Sequence, residues 1–311
     1  MRPVYLLSDP EAARRGKVWP SRLFHWLDRW AAWILPAPAV VVILLLTAFP
    51  AVYTLYMSTH DWFASSLTPP RFIGLGNYVR MLTQDERFLN AVWRTLLFTG
   101  LAVGLEMILG VAIAVVFNRD FLGRGLVRTL LLLPMVATPA AIALVWAMMY
   151  HPTLGVINYL VQLLGFPPLE WIANPRTVIP ALVIVDAWEW TPLITLMALA
   201  GLAALPAEPY ESAVIDGASG WQIFWFITLP LLRPTLMVAA LFRTIDALKT
   251  FDIIYIMTQG GPGFASETLN VYIFQTAFLY FHMGYASALL VALFALVLSV
   301  SFIVIRLRRA A

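Results

Sequence analysis

The hydrophobic positions of this chain fall into long uninterrupted runs, and the polar positions mark where those runs end. Between Arg29 and Asp61 no Asp, Glu, Lys or Arg occurs. About 20 consecutive apolar residues suffice to carry a helix across a bilayer, so this run predicts a first span over roughly 33–57. Five further runs predict spans over roughly 92–117, 127–150, 177–204, 236–257 and 284–305. The second contains Glu106, and the third contains Pro134 and Pro139. Prolines inside a span are tolerated where neighbouring groups take up the backbone carbonyls they free. The fourth carries Asp186, Glu189 and Pro192; the fifth, the least apolar, carries Arg243, Asp246, Lys249 and Asp252. Residues 267–283, rich in Phe and Tyr, predict a partial or interfacial helix, and Arg306, Arg308 and Arg309 stop the sixth span. The expected fold class is an all-α membrane protein with six transmembrane helices. Its expected organisation is a basic N-terminal segment (1–30), a first span with an external loop (31–90), a five-span core (91–306) and a short tail (307–311).

Composition agrees with this pattern. Of 311 residues 61% are hydrophobic and 12% charged, against about 25% charged in a soluble domain; the missing charge means that the solvent is mostly lipid. The distribution of basic residues predicts orientation. Segments 1–30, 118–128, 205–234 and 306–311 hold 13 of the 20 Lys and Arg, while 59–90, 151–176 and 259–283 hold 4. Basic loops stay in the cytosol, so both termini are expected there. Leu23, Trp26, Leu27 and Trp30 fall at helical spacing and predict either an interfacial helix or an ordinary juxtamembrane segment. The first apolar run begins near Ala31 and is too long for the core of a cleaved signal peptide. Cysteine is absent, which removes disulfides and cysteine-based metal or redox chemistry. The net charge of +3 is modest and lies beside apolar runs, favouring membrane orientation over nucleic-acid binding.

One polar stretch, Glu211 to Pro234, interrupts the pattern between the fourth and fifth runs. Glu211, Ser212, Ile215 and Asp216 fit a short amphipathic helix, Gly217 permits the left-handed conformation that closes it, and residues 221–229 fit a second helical piece ahead of Pro230 and Pro234. Apolar side chains beside a membrane in such a loop need either a protein partner or the bilayer surface to cover them. Glu211, Ala213, Gly217, Ile227, Leu229 and Pro230 resemble the EAA loop of the permease subunits of binding-protein-dependent ABC importers: Glu-Ala-Ala, a glycine, then Ile-x-Leu-Pro. Ser212 stands where that pattern has its first alanine.

The charges inside the fourth and fifth runs are the second informative feature. A charge at the bilayer centre costs about 2.5–3.5 kcal/mol on insertion scales, so it faces a cavity or a partner. Asp186, Glu189, Trp190 and Leu193 share one helix face, and Arg243, Asp246, Ala247 and Thr250 repeat the spacing. Two readings stand. In one, these faces line a sugar site: carboxylates accept from hydroxyls, Arg donates to them and an indole stacks on a sugar ring. In the other they form a structural network, with Arg243 paired to Asp246 and Lys249 to Asp246 or Asp252. Glu106, next to the small residues Gly110, Ala112 and Ala114, fits helix packing with an interhelical hydrogen bond. No G-x-x-x-x-G-K-[ST] loop, H-E-x-x-H or G-x-S-x-G occurs, and the four histidines are scattered. An own P-loop ATPase, a metal site and a catalytic role are therefore not expected.

Further runs extend the resemblance. Phe72-Ile73-Gly74-Leu75-Gly76-Asn77-Tyr78 is similar to a segment common before the second span of carbohydrate permeases of this family. Phe242 to Asp252, followed by Thr258-Gln259-Gly260-Gly261-Pro262-Gly263, is similar to the first permease subunit of the maltose, glycerol-phosphate and trehalose type. The resemblance implies a type I importer permease in the bacterial cytoplasmic membrane that moves a di- or oligosaccharide or sugar alcohol by alternating access. It implies a heterodimer with a second permease, two ATPase subunits docking on loop 208–234 and an external binding protein. ATP and Mg would bind the ATPase subunits, this chain holding no cofactor. In that family the sugar contacts come from the spans flanking the loop, here Asp186, Glu189, Trp190, Arg243, Asp246 and Thr250, while Glu211, Ala213, Asp216, Gly217, Ile227, Leu229 and Pro230 fall in the coupling loop. The alternative is a secondary transporter using Asp186, Glu189 or Asp246 as proton or ion sites, which leaves the loop without a role.

Overall fold

The structure, a computed structural model, describes residues 30–31, 33–119 and 121–310, the last four by backbone only. Apart from Trp30, the N-terminal stripe of Leu23, Trp26 and Leu27 lies outside the described residues. The chain divides into two units, Met1–Thr54 and Leu55–Ala311. Among the described residues five helices are long and apolar enough to cross a membrane: α1 (Ala37–Ser58), α3 (Glu86–Phe117), α7 (Val178–Ala203), α9 (Gly220–Ala247) and α12, whose apolar part is Met283–Arg306. Shorter helices join them: α2 (Gly76–Thr83), α4 (Arg124–Val136), α5 (Pro139–Met149), α6 (Val156–Leu163), α8 (Glu208–Ile215), α10 (Asp252–Thr258) and α11 (Leu269–Leu279).

Two elements differ from the sequence expectation. The third span is broken: α4 and α5 meet at 97°. Pro139 is the first residue of α5, and Ala137 and Thr138 are extended, with ψ of 152° and 135°. A proline ring disfavours helical backbone in the residue before it and fits the first helical position, so the bend falls where the two rules meet. Among the described residues, length and composition thus allow five crossing helices, or six if the bent pair counts as one. The fifth span starts and stops early. It begins at Gly220, within the expected loop, and its helix ends at Ala247. Residues 248–251 break the chain before α10, so the run 236–257 is not one helix. Pro230 and Pro234 are carried inside α9 rather than ending a separate piece. One wide π-turn, Phe224–Thr228, precedes them, and such a turn re-spaces the carbonyls that a proline ring would otherwise strike.

In Leu55–Ala311, α3 and α7 form the centre. The buried positions of α3 (Ala91, Thr95, Phe98, Ala102, Glu106, Gly110 and Ala114) recur every three or four residues and so line one helix face. Apart from Phe98 that face is small or polar, the arrangement for close packing in a solvent as apolar as leucine. The outward residues, Ile108 and Val116 among them, are large, apolar and exposed. At Gly110 a Cβ would lie 2.7 Å from the Ile194 Cβ of α7, so only glycine permits this approach.

The loop before α2 is pinned by the Phe72–Tyr78 run. His60–Asp61 pairs antiparallel with Arg71–Phe72, Gly74 takes φ +60°, and the Asn77 amide donates to the Ser58 and His60 carbonyls at 2.9 Å each. At the start of α3, Asp85 caps the helix through the Phe88 N–H at 3.0 Å. It also accepts from the Tyr272 hydroxyl at 2.6 Å and from that of Tyr285. Arg87 donates to Glu267 at 2.7 and 2.5 Å and to Gln275 at 2.6 Å. The aromatic stretch 267–283 is thus tied to the start of α3 by part-buried polar contacts.

Candidate functional site

Two places draw the sequence's candidate residues together. The first is a cavity of about 170 Å³ beside the C-terminal end of α9. Helix α7 brings Asp186, Glu189 and Trp190 to its wall; α9 and the break after it bring Asp246, Lys249 and Thr250. Thr250 lies beyond the helix rather than on the same helical face as Arg243, and the turn returns it to the wall: its N–H donates to the Ala247 carbonyl at 3.2 Å. Pro139, at the bend between α4 and α5, adds to the lining.

Arg243 is not among the lining residues; its side chain is 0% exposed. Its Nε donates to Glu106 Oε2 at 2.7 Å, its Nη1 to Asp246 Oδ2 at 2.9 Å and its Nη2 to Asp186 Oδ2. Its Cζ also lies 5.1 Å from the Trp190 ring centre. One guanidinium therefore joins α3, α7 and α9, and the fork geometry of arginine suits it to three carboxylates at once. The structural and lining readings divide these residues between them: Arg243 and Glu106 hold the helices together, while Asp186 and Asp246 both receive Arg243 and face the cavity. Lys249 forms no ion pair with Asp246 or Asp252 among the described residues. Among the described residues three buried carboxylate oxygens, Glu106 Oε1, Asp186 Oδ1 and Glu189 Oε2, have no hydrogen-bond partner.

The second place is the loop. Gly217 takes φ +76°; its N–H donates to the Val214 carbonyl at 3.1 Å, and that of Ala218 donates to the Ala213 carbonyl at 2.9 Å. This crossed pair is a Schellman cap, which closes α8 on a left-handed residue after Asp216. Ser219 and Gln222 then form a reciprocal capping box that starts α9. A turn between two capped helices presents a fixed surface. Glu211 and Pro230 are exposed, Ala213 is buried, and Ile227 and Leu229 are half-buried. Val214 is 65%, Ile215 85%, Trp221 70% and Phe226 78% exposed, an apolar surface that the sequence motif itself does not contain. Tyr210 reaches under the turn and donates to the Thr228 hydroxyl at 3.2 Å.

Sequence reasoning missed the link from Arg243 to Glu106, 137 positions apart. The available signal was the presence of one acid in span two and one arginine in span five, each needing a partner in lipid.

A polytopic helical bundle with a polar cavity among its spans and a rigid two-helix loop between two of them is the form of a membrane transport subunit. Residues 106–310 match the family model of the binding-protein-dependent transport system inner membrane component. The chain is 39% identical to the trehalose/maltose transport system permease protein MalF of Thermococcus litoralis, over 88% of this chain and 91% of that protein. It is 37% identical to the sulfoquinovosyl glycerol transport system permease protein SmoG of Agrobacterium fabrum, over 93% and 94%. In fold it is similar to a chain of a bacterial ABC transporter involved in the import of the acidic polysaccharide alginate, with a TM-score of 0.79, 22% identity, and coverage of 93% of this chain and 99% of that one. The chain belongs to the family of binding-protein-dependent ABC transport inner membrane components. It is a multi-pass transport subunit of the cytoplasmic membrane, and the secondary-transporter alternative is set aside.

Proposed function

We propose that this chain is the carbohydrate-specific permease of an ATP-driven importer, one half of a permease heterodimer served by two ATPase subunits and an external binding protein. The names of the relatives support a carbohydrate cargo, and the ATP and Mg that power uptake belong to the partner ATPases. In this reading the cavity wall formed by Glu189, Trp190, Asp246 and Thr250 contacts the cargo, and the carboxylates accept its hydroxyls. Arg243 acts behind that wall as a positioning residue for Asp186 and Asp246. The turn around Gly217 docks the ATPase pair, with Glu211 and Asp216 at its polar edge and Ile215 and Trp221 as apolar contacts. The observation that carries the reading is the meeting of these candidate residues, from two spans, at one cavity beside the α9 break.

Glu189→Gln and Asp246→Asn keep volume and remove charge-assisted acceptors, each worth about 1.5–3 kcal/mol. Uptake by either variant is expected to fall by about one to two orders of magnitude, and the ratio of uptake between two substrates is expected to shift. If that ratio stays fixed in both variants while total uptake falls, the cavity does not touch the cargo.

The orientation is expected to place the loop and both termini in the cytosol, from the basic-residue excess. A reporter active only outside should then be active after Thr83 or Gly263 and silent after Phe121 or Ala218. External activity at Ala218 reverses the arrangement and removes the docking surface.

A further inference from the structure

The charge around the cavity is lopsided. Its lining brings together Asp186, Glu189, Asp246 and Asp252 against a single cation, Lys249. Arg243 does not correct the balance, since it is held by Asp186, Asp246 and Glu106 together. Setting Arg243 against Asp186 and Lys249 against one further acid still leaves two carboxylates of the wall uncompensated. Glu189 is 1% exposed and its Oε2 has no partner among the described residues, so a buried acceptor stands ready for a donor that they do not supply. Carboxylates accept from hydroxyl and ammonium groups and have nothing to offer an anion.

We infer that this cavity selects its cargo by charge, taking polyhydroxylated ligands that are neutral or carry an amino group and turning away phosphorylated, sulfonated and uronic ones. The inference rests on the reading of the cavity as the cargo site. A unit anion about 5 Å from one carboxylate is disfavoured by a factor on the order of 300 at an effective dielectric constant of about 20. Lys249, exposed and long, returns part of that factor, and at least about a tenfold penalty is expected to remain.

The test uses the assembled importer without its external binding protein, so that the latter's own preferences do not enter. Equilibrium dialysis would compare a panel of neutral disaccharides, each beside its 6-phosphate. The neutral member of a bound pair should bind at least about tenfold more tightly. The gap should narrow at high salt, which screens exposed charge, and in the Asp246→Asn/Asp252→Asn variant. Equal or tighter binding of the phosphate at low salt overturns the charge selection and leaves the site in place. A gap indifferent to salt and to the double variant also overturns it, because shape would then be the cause. If no disaccharide in the panel binds the wild-type complex, the reading of the cavity as the cargo site itself fails. The salt series on the wild type keeps the outcome decisive if the double variant does not assemble.

Discussion

Arg243→Met is expected to abolish the folded bundle. The substitution keeps an unbranched apolar chain of similar reach but leaves Glu106 and Asp186, both 0% exposed, without the cation that joins them. Removing one partner of a buried charge network typically destabilises by about 3–5 kcal/mol, since the remaining charge is stranded in a medium that solvates it poorly. Here two acids on different helices are stranded at once, so separation of α3 and α7 from α9 is the route by which they reach water or protons. Loss of monodisperse protein in detergent and a large drop in the thermal transition are the measurements. The second half of the argument is rescue. Arg243→Met combined with Glu106→Gln and Asp186→Asn removes the stranded charges and should regain much of the stability, a non-additivity expected only of residues in contact. An Arg243→Met protein with an unchanged transition would mean that the network does not hold the helices.

Gly217→Val is expected to stop uptake while leaving the protein in the membrane. The residue sits at φ +76° with no atom within 4 Å of an added Cβ, so space is not the obstacle. The obstacle is the backbone: the left-handed region costs a residue with a side chain about 1–2 kcal/mol, and a β-branched one resists it further. Relaxing the strain opens the bonds from Gly217 and Ala218 to Val214 and Ala213 and turns the Ser219 capping box away from α8. A shift of that size changes the population of the docked shape roughly 5–30-fold, so uptake should fall by about the same factor while ATP hydrolysis in the assembled complex loses its link to transport. Asparagine tolerates the left-handed region, and Gly217→Asn should keep most of the uptake. Equal loss in both variants would trace the effect to something other than backbone conformation.

The contrast between these two residues shows what the sequence makes legible. Gly217 was readable because its cause is local: a glycine after a short amphipathic stretch is a cap signal whatever the rest of the fold does. The spans were readable for a similar reason, since a run of apolar residues needs no partner to declare a lipid-facing helix. The 97° bend was only half readable. Pro134 and Pro139 were visible, but a proline pair can be absorbed in a continuous span or can break it, and neighbouring helices decide which. The end of α9 at Ala247 was hidden because Lys249, Thr250 and Asp252 continue a helical spacing that the backbone does not follow. The partners of Arg243 and Arg87 were beyond reach, since Glu106 lies 137 positions and Glu267 180 positions away and only the packed bundle brings them close. Charge in a lipid-facing run announces that a partner exists; it does not say which.

The continuity of α9 has a mechanical consequence. Trp221, on the exposed turn, and Asp246, on the cavity wall, belong to one helix. At 1.5 Å per residue they are about 38 Å apart along its axis. A rod of that length acts as a lever: a tilt of about 5° pivoting near one end sweeps the other through roughly 3 Å, comparable to the length of a hydrogen bond. Arg243 sits three residues from the far end and grips α3 and α7; with the pivot there, a sweep of roughly 3 Å at the loop end becomes a shift of about 0.4 Å at Asp246, a small reorientation of the cavity wall. The wide turn at Phe224–Thr228 lies near the loop end, where compliance would absorb twist while leaving the long arm stiff. A push on the loop thus needs no relay of side chains to be felt at the cavity.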